Sequence, residues 1–119
     1  LHAVLFLDNK LLKNILLNLF SNAIKYSEQD KSIYFDFSMD EKWLYFTIRD
    51  EGIGIPSEEQ EHLFTRFFRA HNVENIQGTG LGLTIVKRYL ELMEGSIHFE
   101  SQLGIGTFFK ISLPRISLI

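Results

Sequence analysis

A helix that is apolar almost all the way round, yet carries a stripe of amides, constrains this chain more than any other feature. Leu11, Leu12, Ile15, Leu16, Leu19, Phe20, Ala23 and Ile24 cover most of a helical circumference, so a helix here is expected to be buried on more than one side. Asp8 precedes it as an N-cap residue, and the pattern runs to about Tyr26. Asn14, Asn18 and Asn22 follow at i, i+4 and i+8, with Lys25 three residues on, so all four polar groups share one face. Asparagine is a poor helix former, and a buried amide needs partners to offset its desolvation. Two explanations stay open. The amides cap neighbouring backbone or meet solvent, or they face an internal polar site. In the second case Asn22 offers a carbonyl oxygen to a hard divalent cation while Lys25 reaches a phosphate. Magnesium suits such a site, because it keeps several waters and takes only one or two protein ligands beside substrate phosphates.

The remaining chain must cover that helix, and its length allows one domain to do so: 119 residues, 45% hydrophobic and 23% charged. Residues 1–7 are β-compatible. Ile33, Phe35 and Phe37 alternate with polar residues, as do Leu44, Phe46 and Ile48 beyond a turn at 39–42, which reads as a hairpin. Ser57 and Gln60 form a capping-box pattern for a short helix to about Phe64. Residues 70–77 are polar and aperiodic, and are expected to be mobile. Leu83, Val86, Leu90 and Met93 have helical spacing, with Gly95 as the expected C′ residue. Strands over 96–101 and 107–113 close the domain. The order predicts an α+β fold, a two-layer sandwich with helices on one face of a mostly antiparallel sheet.

Charge and composition exclude several function classes. A net charge of -3 supplies no broad positive field, so nucleic acid is not an expected partner. The absence of cysteine removes disulfides, thiolate zinc sites and cysteine nucleophiles. Lys13, Asn14 and Asn18 interrupt the most hydrophobic stretch, 11–20, well short of a membrane span, and no signal-peptide layout begins the chain. A soluble, cytoplasmic piece of a longer protein without direct membrane contact is expected.

Two further groups carry candidate chemistry. Asp50 stands where a strand gives way to Gly52-Ile53-Gly54, a place where a rigid sheet positions loop-borne groups. A carboxylate only accepts hydrogen bonds, so it suits the exocyclic amine of adenine and repels the carbonyl of guanine. An Asx turn explains a lone aspartate before glycine equally well. Gly78-Thr79-Gly80-Leu81-Gly82-Leu83 can cradle phosphate through close backbone N–H groups at a helix start, or be an ordinary flexible loop. It is neither a P-loop, lacking Gly-Lys-Ser/Thr, nor a dinucleotide fingerprint, whose glycine spacing and preceding strand are missing.

The order of these pieces is more specific than any one of them. Asn18 to Ser27, Asp50 to Pro56, Leu63 to Arg69, Gly78 to Leu83 and Gly104 to Phe109 resemble the N, G1, F, G2 and G3 boxes of the catalytic ATP-binding domain of sensor histidine kinases. The resemblance covers residues 8–114. It implies the Bergerat fold of the gyrase, Hsp90, histidine-kinase and MutL ATPases, with three helices on a mixed sheet. By this resemblance Asn22 coordinates Mg2+, Asn18 supports it, Lys25 contacts phosphate and Tyr26 borders the nucleotide. Asp50 accepts from the adenine amine, Gly52 and Gly54 let backbone approach the base, and Ile55 and Ala23 wall its pocket. Arg69 reaches the terminal phosphate while Phe64, Phe67 and Phe68 anchor a lid. Gly78, Thr79, Gly80, Leu81, Gly82 and Leu83 meet the phosphates, and Thr107 supports Asp50 or a bridging water. Arg66 and Gln77 stand where the family often has proline, which bears on lid stiffness rather than on ligands.

The implied reaction is transfer of the ATP γ-phosphate to a histidine on a separate helical dimerisation and phosphoacceptor domain, through which a response regulator is served. Asn22, Lys25 and Arg69 would carry the catalytic contribution. His2, His62, His71 and His98 lack the His-Glu or His-Asp context of a phosphoacceptor, so this piece, expected to be monomeric, binds and orients ATP without completing the reaction. Two alternatives are an ATP-binding module acting by docking alone, and a related serine-directed kinase.

Overall fold

Asp8 starts the first helix as its position predicts, its Oδ1 accepting the backbone N–H groups of Lys10 at 3.1 Å and Leu11 at 3.0 Å. In the computed structural model, residues 8–27, 31–64 and 82–115 are described. They form α1 (Asn9–Tyr26), β1 (Ile33–Met39), β2 (Trp43–Asp50), a 3-10 helix (Ser57–His62), α2 (Gly82–Leu92), β3 (Ser96–Gln102) and β4 (Gly106–Pro114). The four strands pair antiparallel in the order β1-β2-β4-β3.

Strand alternation sorts the side chains into cross-sheet rows. On the helix-covered face, Met39, Leu44 and Leu113 form one row, and Phe37, Phe46, Ile111 and Ile97 the next. Phe35, Ile48, Phe109 and Phe99 make a third. The helices close over these rows with Ile15, Leu19 and Ala23 of α1 and Val86 and Leu90 of α2, all buried. Each fully buried Leu, Ile or Val side chain contributes roughly 1.5–3 kcal/mol of transfer free energy. Phe20, Phe35, Phe46 and Phe37 extend the core towards β1 as a chain of tilted rings 5.0–6.2 Å apart. The opposite face is polar. Arg49 lies over Tyr34 at 4.1 Å and Lys110 over Tyr45 at 4.6 Å, each cation covering a ring that would otherwise meet water.

The α+β sandwich is as expected, but five details differ. Among the described residues there are two α-helices rather than three, the third expected helix being the 3-10 helix, and the sheet is wholly antiparallel rather than mixed. The strand expected over 1–7 lies outside the described residues. No capping box forms: Pro56 occupies the N-cap and has neither a side-chain acceptor nor an N–H, and Gln60 Nε2 donates to the carbonyls of Ile55 and Ser101. Ile24 is 65% exposed, so α1 is covered less completely than its composition suggests. Finally, α2 ends in a Schellman motif with Glu94, at φ 59°, in the left-handed C′ position. Gly95, expected there, is one residue further and donates its N–H to Leu90 O at 2.8 Å.

Candidate functional site

The apolar rows of the sheet end in a polar one: Ile33, Asp50, Thr107 and Ser101 lie in register on the same helix-covered face. Asp50 is 8% exposed, and its Oδ1 accepts from the Gly52 N–H at 2.9 Å and the Thr107 N–H at 3.3 Å. The first bond is an Asx turn, so the local reading of this aspartate is realised. It does not exhaust the carboxylate. Both bonds end on Oδ1, which leaves Oδ2 as an acceptor with no partner among the described residues. Burial pushes the Asp50 carboxyl above its usual range, while the two N–H donors pull the other way.

The loop after Asp50 is held from two sides. Tyr26 O, at the end of α1, accepts the Ile53 N–H at 3.1 Å. Gly52 passes so close that a Cβ there would lie 2.2 Å from Tyr26 O, and Gly54 adopts φ +73° with its Cβ position 2.3 Å from Gln102 O. Opposite, Ile53 O accepts the Gly104 N–H at 2.8 Å and Ile55 N–H donates to Ser101 Oγ at 2.8 Å. Ile55 packs against the core edge, and Ala23 is fully part of the core.

The amide stripe divides into two kinds. Asn14 Nδ2 donates to Lys10 O at 3.0 Å and Asn18 Nδ2 to Asn14 O at 2.8 Å, so both cap local backbone. Asn22 breaks the series: it is half-buried, and its amide has no hydrogen bond among the described residues. The stripe also faces the start of α2, where a Cβ on Gly82 would lie 3.2 Å from Asn18 Oδ1. Lys25 is exposed in the last turn of α1, with Tyr26 half-buried beside it. The first backbone N–H groups of α2 have no intrahelical partner, which makes that end suited to anions. Leu83 packs on the core, and Thr84 Oγ1 donates to Phe64 O at 3.1 Å. Phe64 meets Phe99 edge-on at 5.8 Å.

Asn18, Asn22, Lys25 and Tyr26 thus lie along α1, Asp50, Gly52, Gly54, Ile55 and Thr107 border its C-terminal end, and Gly82 and Leu83 open the helix beside it. Arg69, Gly78, Thr79, Gly80 and Leu81, with Phe67, Phe68 and the expected lid at 70–77, lie outside the described residues. Thr107 supports Asp50 through its backbone N–H, while its hydroxyl turns to Ser101 at 2.9 Å. Sequence reasoning missed Ser101, although the alternation Ile97, Phe99, Ser101 places it on the inward face, and gave Gln60 a capping role. His62 and His98 are exposed, beside Glu61 at 3.2 Å and Glu100 at 3.7 Å. Among the described residues no three His, Cys, Asp or Glu groups gather as a metal site. No described helix is long and apolar enough to cross a membrane.

Comparison with known proteins agrees with this architecture. The family described as histidine kinase-, DNA gyrase B-, and HSP90-like ATPase matches residues 7–117. The sensor protein RprX of Bacteroides fragilis is 36% identical over 120 aligned positions, covering 95% of this chain and 22% of that protein. The chain therefore spans about a fifth of that relative. Among solved structures, the mycobacterial sensor histidine kinase MprB superposes with a TM-score of 0.85 at 30% identity, covering 95% of this chain and 78% of that one. Full-length ShkA in complex with AMPPNP gives 0.82 at 26% identity, covering 98% of this chain and 24% of that one. The chain belongs to the histidine kinase-, DNA gyrase B- and HSP90-like ATPase family, and within it corresponds to the catalytic ATP-binding domain of sensor histidine kinases.

Proposed function

We propose that this chain is the nucleotide-binding unit of a longer cytoplasmic kinase, which binds Mg2+-ATP and presents the γ-phosphate to a histidine on a separate helical dimerisation and phosphoacceptor domain. A response regulator would be served through that domain. The observation that carries the reading is the buried Asp50 carboxylate, fixed through Oδ1 with Oδ2 unpartnered among the described residues. An acceptor held this way, facing a glycine-bordered loop, matches the 6-amino group of adenine and opposes a 6-carbonyl. Asn22 fits Mg2+ as a single hard-oxygen ligand, the remaining positions being left to phosphates and water. When bound, the cation would neutralise charge on the phosphate oxygens. Lys25 and the N-terminal end of α2 would hold the phosphate chain from either side, and Arg69 is assigned to the terminal phosphate. What the protein contributes is positioning and charge complementarity, the main requirements of phosphoryl transfer.

Titration calorimetry with AMPPNP, with and without Mg2+, tests the reading. Binding that strengthens with Mg2+ is expected, and Asn22→Ala should weaken the Mg2+-dependent binding by about tenfold while leaving Mg2+-free binding nearly unchanged. No binding by the folded chain would overturn the nucleotide site. Equal loss with and without the metal would return Asn22 to a structural role.

A further inference from the structure

Ser101 belongs to none of the sequence boxes, yet it is the junction through which the parts of the candidate site touch. Its Oγ accepts the Ile55 N–H at 2.8 Å, lies 3.2 Å from Gly106 O and 2.9 Å from Thr107 Oγ1. Proton bookkeeping orders these contacts. A carbonyl only accepts, so Ser101 gives its one hydroxyl proton to Gly106 O, and Thr107 then donates to Ser101. Gln60 Nε2 locks the same junction from the loop side, donating to Ile55 O at 3.0 Å and to Ser101 O at 3.1 Å. The adjacent Thr107 backbone N–H donates to Asp50 Oδ1. One hydroxyl therefore joins the loop carrying Gly52 and Gly54, the β3–β4 turn, and the residue that orients the carboxylate.

We infer that Ser101, with Gln60, is a positioning residue for adenine selectivity: it fixes the direction of Asp50 Oδ2 by tying Thr107 and Ile55 into one rigid frame. The inference rests on the nucleotide reading above and adds a residue to it. Neither side chain touches the base in this scheme. Both act through Thr107 and the loop, where a shift of well under an ångström changes the alignment of a charged hydrogen bond. Because the network is closed, its parts are expected to act together rather than additively.

The test compares ADP, whose base carries a 6-amino group, with IDP, which carries a 6-carbonyl, in calorimetric titrations of the 119-residue chain and its variants. The unmodified chain is measured first. Failure to bind ADP, or equal affinity for ADP and IDP, would overturn the nucleotide reading itself before any variant is made. Given a preference for ADP, Ser101→Ala should lower ADP affinity by about tenfold and IDP affinity by no more than about twofold, so that the preference collapses. Ser101→Thr, which returns the hydroxyl, should restore the preference. Equal losses for both nucleotides in Ser101→Ala would make Ser101 a general structural residue and overturn the proposal, as would an unchanged preference. If Ser101→Ala does not fold, Gln60→Ala decides by the same ratio, since it removes the clamp from the loop side.

Discussion

Asp50 meets two demands that pull its protonation in opposite directions. Burial favours the neutral acid in the folded chain, whereas an amine-bearing ligand favours the carboxylate. With the folded pKa above the unfolded one, the native state binds more protons between the two values. Stability therefore falls as pH rises through that window, and the cost of the buried charge persists at neutral pH. Asp50→Asn removes the charge while its Oδ1 still accepts from Gly52 and Thr107. The variant should be more stable at pH 7 by on the order of 1 kcal/mol, and this gain should shrink at low pH, where Asp50 itself is protonated. Thermal melts at both pH values check the sign. The same variant should bind ADP at least about tenfold more weakly, because the Asn Nδ2 donor would face the amine donor. Asn22 shows what spacing reveals at this scale. The interval i, i+4, i+8 places three amides on one face, but cannot say that two of them cap backbone while the third has no hydrogen bond among the described residues.

Element ends were less legible than the elements. The 3.6-residue and two-residue periods identified both helices and all four described strands, because each has one face against the core. The caps misled where tertiary contacts outbid local chemistry. Gln60 has the spacing of a capping box, yet its amide reaches β3 and the loop instead. At the end of α2, the presence of Gly95 drew the expected left-handed residue one position too far. The Schellman pattern, with Gly95 N–H on Leu90 O and Glu94 N–H on Glu91 O, fixes Glu94 at C′. A non-glycine side chain in that conformation is strained. Glu94→Gly should therefore stabilise the domain by about 0.5–1 kcal/mol, less whatever the extra freedom of the unfolded chain removes. A rise in Tm of a few degrees, with unchanged ADP affinity, is the expected outcome. A lower Tm would mean that the Glu94 side chain makes a contact worth more than the strain.

Across the whole molecule, the sheet separates stability from recognition by rows. Three apolar rows carry the core, and the fourth, with Asp50, Thr107 and Ser101, carries the candidate site. The strand order places β2 and β4 centrally, so a residue such as Ile111 is enclosed by both neighbouring strands and the helices, whereas Phe37 on β1 is 48% exposed. Ile111→Ala should cost about 3–4 kcal/mol, and Phe37→Ala about 1 kcal/mol, in chemical denaturation with little change in slope. Ile111 lies four residues from Thr107 along β4, roughly 13 Å at strand rise. A cavity that far from the polar row, with an intervening row containing Phe109, should leave the frame around Asp50 in place. ADP affinity of the folded fraction of Ile111→Ala is therefore expected to stay within about twofold of the unmodified chain, despite its large loss of stability. A tenfold loss of affinity in that variant would show that the apolar rows transmit strain into the site, and that the hydrogen-bonded frame through Ser101 does not hold Asp50 by itself.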